Sequence, residues 1–453
     1  MTTPNIFFLI MDSFRSDKFY GDQKNSVTPN IDSLIQNGSY FTRAISPADG
    51  TILSWSGIFT GKFPFKTGVR SAKFNKLNKD VVTYFEILKK HNYHFYGYRP
   101  VLSETIGMFP DFENDDNLYD FFLGISNGLG DKIIKKLKSA PLKEPWLFLV
   151  HAMDLHPPIT IPKEFDNEKY GTNYYEKKVS VVDTWIGKIV KNLDLSNTIL
   201  VITADHGSYI QSATMEDKTL DTSANASMQI AVSKLASKTP KFLHPMKDRL
   251  FFLREKINEQ KKLQLTKNLE LTPHEKRALL AGRADKDHFV FDDKIRVPLL
   301  FVGNSVPKGR ILNDQVRTVD IFPTIVDLID IKSDNDKDGR SLKPFMEGKT
   351  LDELPAYLES NPLVLQESND VVGIRTSKYK YFRDKDDPKK RVHLYDLEND
   401  PFEDHNIQDK NQQKIEEMEN ILQGMLKNAP VQDATNDDES EEIARELRKL
   451  GYL

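Results

Sequence analysis

The 453 residues contain no cysteine. Disulfides, thiolate metal sites and cysteine nucleophiles are therefore excluded together. The absence is permissive about compartment. Long apolar runs are missing as well: nothing approaches the roughly 20 consecutive apolar residues of a membrane helix. Ile6 to Met11 is apolar but short, with no basic segment before it and no cleavage signal after it, so no targeting peptide is expected and the expected location is cytoplasmic. A net charge of −4 gives no global basic field, so nucleic-acid binding is not expected. There is no internal repeat and no low-complexity tract. What remains, 39% hydrophobic and 29% charged, describes a globular chain long enough for one large domain and a smaller one.

The chain is organised around Asp49 to Pro64. Ile52, Leu53, Trp55, Ile58 and Phe59 fall at helical spacing, which predicts a short buried helix. Thr51 is expected at its N-cap, with Gly61 and Pro64 ending it. A helix N-terminus favours a bound anion. Thr51 is thus either an ordinary cap or a residue facing a ligand. Three other segments bear on the choice. Asn5–Met11, Trp146–Val150 and Thr198–Ala204 read as buried parallel strands. The first stops at Asp12, the second at a stretch containing His151, Asp154 and His156, and the third at Asp205-His206-Gly207. Ligand sites in open α/β sheets lie at the carboxyl ends of strands. A lone Asp there is usually a helix cap and a lone His usually a structural one. Three such ends together match the oxygen and imidazole donors of a divalent cation.

Further along, Lys234 to Arg283 holds 13 Lys/Arg against 5 Asp/Glu. It reads as a helical insertion, assigned to 233–285, lying over the sheet edge. It is either a solvated charged face or a lid for an anionic substrate. Val297–Val302 reads as a strand and Val319–Asp330 as a helix. Leu363–Glu367, Val371–Arg375, Lys378–Arg383 and Val392–Tyr395 read as a small antiparallel sheet. Gln413–Lys427 reads as a helix, and Asp433–Glu442 as a solvated acidic linker before a last helical turn. The expected division is residues 1–335, 336–428 and 429–453.

Together these motifs resemble the sulfatase family of the alkaline phosphatase-like superfamily, over nearly the whole chain. Asn5 to Asp12 resembles the family's first strand and metal Asp. Thr28-Pro29-Asn30-Ile31-Asp32 with Leu34 resembles its TPN-L/I-D-x-L signature. Thr60 to Pro64 resembles its TG-R/K-Y/F-P element and Gly68-Val69 its HGV. His151 to Pro158 resembles H-x-M-D-P-H-x-P, and Thr203 to Gly207 resembles T/S-x-D-H/N-G. Asp292 to Pro298 resembles YEE-x-x-RVP, and Arg375-Thr376, Tyr379 to Tyr381 and His393 to Pro401 resemble the C-terminal subdomain. The resemblance implies a three-layer α/β/α domain on a mostly parallel sheet, plus a small C-terminal antiparallel sheet and helix. It implies a metal-dependent ester hydrolase. Asp12, Thr51, Asp205 and His206 would hold a divalent metal, zinc or manganese before calcium or magnesium. Thr51 and His156 would be catalytic. Asp154, His156 and His288 are candidates for a second metal or a phosphate contact. The substrate would be a small-molecule, glycan or lipid phosphate or sulfate ester.

The departures are informative. Family members convert the first residue of C/S-x-P-S-R to formylglycine. Aligned on Thr60-Gly61, this chain has Thr51, with Leu53 and Trp55 at the Pro and Arg positions, and Thr67 replaces the His of HGV. Threonine cannot become formylglycine. Superfamily members with Thr there act on phosphorus, so the expected chemistry is attack of a metal-activated Thr51 hydroxyl on a phosphate diester or a phosphonate-type monoester. A phosphotransferase on the same machinery and a degenerate, non-catalytic binding protein are the alternatives. Ser13 stands where many members carry a second Asp.

Overall fold

The computed structural model describes residues 3–69, 76–119, 122–139, 141–215, 218–221, 244–282, 289–332, 336–361 and 369–427. His288, the Leu363–Glu367 strand, the acidic linker and the last helical turn lie outside these residues. Among the described residues, no helix is long and apolar enough to cross a membrane.

The main sheet is built from β1 (Asn5–Met11), β2 (Gly38–Ile45), β3 (His94–Pro100), β4 (Leu118–Tyr119), β5 (Trp146–Ala152), β6 (Thr198–Thr203), β9 (Arg296–Gly303) and β10 (Arg310–Arg317). A two-stranded ribbon, β7 (Ser212–Met215) with β8 (Lys218–Asp221), stands apart from it. The strand order is β10-β2-β9-β6-β1-β5-β3-β4. All neighbours are parallel except β9, which runs antiparallel to both β2 and β6. β1, β5 and β6 are buried at every position, because helices cover both faces and leave no face for polar alternation. One continuous core joins them to Trp55, Ile58 and Phe59 of the helix Thr51–Thr60 and to Phe322 of the helix Ile321–Leu328. This is the α/β/α architecture that the family resemblance implied.

The second sheet is antiparallel, with β11 (Ala356–Glu359), β12 (Val371–Arg375), β13 (Tyr379–Asp384) and β14 (His393–Asp396) in sequential order. The helix Gln412–Leu426 packs its Met418 and Leu422 onto it. Within the basic insertion, His244–Thr266 and Pro273–Leu280 are helical, the second opened by a Thr272–Glu275 capping box. The shorter helix docks not on the sheet edge but on the C-terminal part: Arg277 donates to the Phe402 carbonyl at 2.6 Å and His274 N–H to Asp404 at 2.6 Å.

Candidate active site

Register brings the strand ends together. Ile10 of β1 is level with His151 of β5 and with Thr203 of β6. Asp12 and Asp205, just past the ends of β1 and β6, therefore meet. Both carboxylates are fully buried. The Thr51–Thr60 helix points its N-terminus at them.

The sequence places Thr51 at the N-cap, and the structure corrects this. Gly50 is the N-cap, in extended conformation, and Thr51 is the first helical residue. Asn361 occupies the space above the cap. A Cβ on Gly50 would lie 2.5 Å from the Asn361 side chain, so any larger residue is disfavoured. Freed from capping, the Thr51 hydroxyl faces the strand ends. Its oxygen lies 3.3 Å from Asp12 Oδ2 and 3.3 Å from His206 Nε2.

The surrounding hydrogen bonds fix the donors. His206 Nδ1 lies 2.7 Å from the Gly207 carbonyl, which can only accept, so Nδ1 carries the hydrogen. Nε2 faces the Thr51 hydroxyl oxygen. Asp205 Oδ1 accepts the His206 N–H at 2.8 Å and the Ser13 N–H at 3.4 Å. Burial disfavours ionisation of Asp205, but His206, His151 and the Thr51 hydroxyl outweigh it and hold the carboxyl below its usual range. Burial likewise opposes charge on His206, and the carboxylates of Asp205 and Asp12 overcome this and raise its pKa.

Of the residues expected at the site, Asp12, Thr51, Asp205 and His206 are brought together. The structure adds His151, whose Nε2 lies 3.3 Å from Asp205 Oδ2 and 3.6 Å from Asp12 Oδ2. The donor atoms of Asp12, His151 and Asp205 lie within 4.8 Å of one another, all on buried residues. Buried carboxylates next to imidazole nitrogens are costly without a cation and suit a divalent one. Asp154 is otherwise engaged: it accepts from the Ile125 and Ser126 N–H groups at 2.6 and 3.1 Å and lies 3.4 Å from Lys178 Nζ. It anchors the turn at 124–126. The His156 ring stacks on Phe122 at 5.0 Å.

Two further groups went unnoticed in the sequence. Lys294 pairs with Asp49, two residues before Thr51. Arg15 pairs with Asp293, beside Gly207. His151 had a local signal, since it opens the stretch that resembles H-x-M-D-P-H-x-P. The Lys294–Asp49 and Arg15–Asp293 pairs had none, because their partners lie more than two hundred residues apart.

Residues 4–331 match the family model described as Sulfatase. The chain belongs to the sulfatase family. Residues 282–432 also match a model for the C-terminal part of N-sulphoglucosamine sulphohydrolase. Chicken (Gallus gallus) arylsulfatase K is 22% identical over 93% of the chain and 82% of its own length. The phosphonate monoester hydrolase of Agrobacterium radiobacter shares the fold with a TM-score of 0.64 at 15% identity, over 94% of the chain and 96% of that structure. A third protein, solved in complex with its substrate D-glucosamine-2-N,6-O-disulfate, superposes with a TM-score of 0.64 at 16% identity, over 98% and 99%.

Proposed function

We propose that the chain is a metal-dependent hydrolase of sulfuric or phosphoric esters in which Thr51 occupies the formylglycine position and serves as the nucleophile. Family membership supports ester hydrolysis. The observation that carries the nucleophile assignment is the Thr51 hydroxyl, 3.3 Å from Asp12 and 3.3 Å from His206 at a helix N-terminus.

Asp12, Asp205 and His206 with Thr51 would hold a divalent cation, zinc or manganese before calcium or magnesium because the donors include nitrogen. The cation supplies positive charge that favours an ionised hydroxyl and offsets charge developing on the ester oxygens. The chain does the rest. Asp12 Oδ2 and His206 Nε2 flank the hydroxyl and orient its oxygen outward. The first N–H groups of the helix face the same space and suit an anionic ester. Attack by Thr51 displaces the alcohol and leaves a covalent ester on Thr51, which water then releases. His156 is the candidate contact for the transferring oxygens.

The expected substrate class is phosphate diesters or phosphonate-type monoesters of a small molecule, glycan or lipid, because formylglycine cannot form from Thr51 and no cysteine can supply it. The test compares the natural chain with Thr51→Ala on bis-p-nitrophenyl phosphate and p-nitrophenyl sulfate. Loss of the nucleophile should lower kcat/KM roughly a thousandfold or more. Undiminished turnover would remove Thr51 from its role, and a strong preference for the sulfate would overturn the substrate class.

A further inference from the structure

The carboxylate pair at the strand ends lacks the second Asp of the family pattern. Ser13 stands there, in left-handed backbone at φ 64, and gives its hydroxyl hydrogen to Asp12 Oδ1 at 2.7 Å. What faces the two carboxylates from β5 is an imidazole. His151 is 2% exposed and directs Nε2 at Asp205 and Asp12.

The other side of that ring is held by Tyr119. The Tyr119 hydroxyl lies 2.9 Å from the His151 carbonyl oxygen, to which it can only donate. The same hydroxyl oxygen lies 3.3 Å from His151 Nδ1. Its hydrogen is already committed, so the oxygen accepts from Nδ1. The network therefore assigns the hydrogen to Nδ1 and turns the Nε2 edge toward the carboxylates. Trp55 packs at right angles to the ring, 4.8 Å between centroids and 88° between planes, and restricts its rotation. Trp55 is itself a departure, standing where the family motif has Arg.

We propose that His151 is a nitrogen ligand of the metal site and Tyr119 the residue that positions it. An imidazole in place of a carboxylate biases the site toward borderline first-row cations and away from calcium. The inference rests on the metal-site reading given under Proposed function. The competing account makes His151 a charged counter-ion that only neutralises Asp12 and Asp205, in which case it would be repelled by a cation rather than bind it.

The test needs no activity. The full chain, stripped by chelator, is titrated with zinc and with calcium in competition with a chromophoric chelator, alongside Tyr119→Phe and His151→Asn. Cobalt spectra are recorded for each. Losing an orienting partner typically costs 10- to 100-fold in metal affinity. Tyr119→Phe should weaken zinc by about that factor, and His151→Asn by more. Calcium affinity should move little, so the zinc-to-calcium ratio falls. A cavity or general loosening would lower both metals together. The cobalt visible band should shift in His151→Asn as a nitrogen donor is lost. Should His151→Asn fail to fold, Tyr119→Phe decides, since it keeps the ring and removes only the hydroxyl. Unchanged zinc affinity and cobalt spectra in the folded variants would overturn the ligand role while leaving the metal site standing. A natural chain that takes up none of these metals would overturn both.

Discussion

At the scale of single residues, Gly207 shows how little room the site leaves. A Cβ there would lie 2.2 Å from the Asp293 backbone carbonyl, an atom that cannot move aside as a flexible side chain can. Gly207 also donates its N–H to the Lys294 carbonyl at 2.7 Å and supplies the oxygen that orients His206. Gly207→Ala should cost about 1–3 kcal/mol of stability, the usual range for overpacking. It should also lower kcat/KM at least tenfold by displacing His206. A denaturant titration and an assay on one preparation check both, and a variant as stable and active as the natural chain contradicts the close approach. Residues of this kind were only partly legible. Asp12, Asp205 and His206 stood out because each follows an apolar run that could only be a buried strand. Thr51 stood out as an expected N-cap, a position that Gly50 takes instead, and through the family resemblance. The part played by His151 depends on the register of β5 against β1, which no local spacing reveals.

At the scale of elements, the loop before Thr51 is held from several sides. Ser46 N–H donates to the Ile295 carbonyl at 2.8 Å, and the Ser46 and Ser54 hydroxyls meet at 2.9 Å. Asp49, whose side chain is 1% exposed, pairs with Lys294 and accepts the Asn361 N–H at 2.6 Å. Removing one partner of a buried ion pair leaves an uncompensated charge, typically a loss of 3–5 kcal/mol. Lys294→Met should therefore destabilise the chain by about that much, and adding Asp49→Asn should recover a substantial part. Additive losses in the double-mutant cycle would show that the pair does not hold the loop. The elements the sequence revealed best are β1, β5 and β6, apolar throughout because both faces are covered. β2 and β10 were not anticipated. In β10 the buried positions are confined mainly to Gln315, Val316 and Arg317, so it carries neither an alternating nor a continuous apolar pattern. β11 was missed for a related reason: it is four residues long and entirely buried, including Glu359.

At the scale of the whole molecule, the two sheets are joined by charge as well as by apolar contact. Arg375 of β12 binds Asp292 through two hydrogen bonds of 2.9 and 2.7 Å. The fully buried Lys380 of β13 lies between Asp292 at 2.5 Å and Glu403 at 2.7 Å. Burial, with the Asp292 charge adding to it against the pull of Lys380, pushes Glu403 up from 4.5 to about 7. The folded chain thus holds this proton more tightly than the unfolded chain does. The stabilising contribution is complete below about pH 4.5 and is lost as pH rises through about 7. It amounts to on the order of 3 kcal/mol. Glu403→Gln cannot lose the proton. Urea midpoints taken from pH 4.5 to 8 should show the natural chain falling relative to this variant, and parallel curves would refute the shift. Such cross-links escaped the sequence because Asp292, Lys380 and Glu403 come from separate segments that only the fold brings together.

The small sheet also reaches the loop before Thr51 directly. Glu359, at the end of β11, donates its N–H to the Pro47 carbonyl at 2.8 Å and forms a parallel bridge with Ala48, three residues before Thr51. The C-terminal part is therefore not a detachable module. A fragment cut after residue 331, where the sulfatase match ends, would keep the acidic and imidazole side chains of the strand ends but lose the splint that holds the loop before Thr51. For anyone building chimaeras in this family, the exchangeable unit is the large sheet together with the small one. A graft that ignores this should yield protein with its strand-end carboxylates and imidazoles in place and the Thr51 hydroxyl out of line.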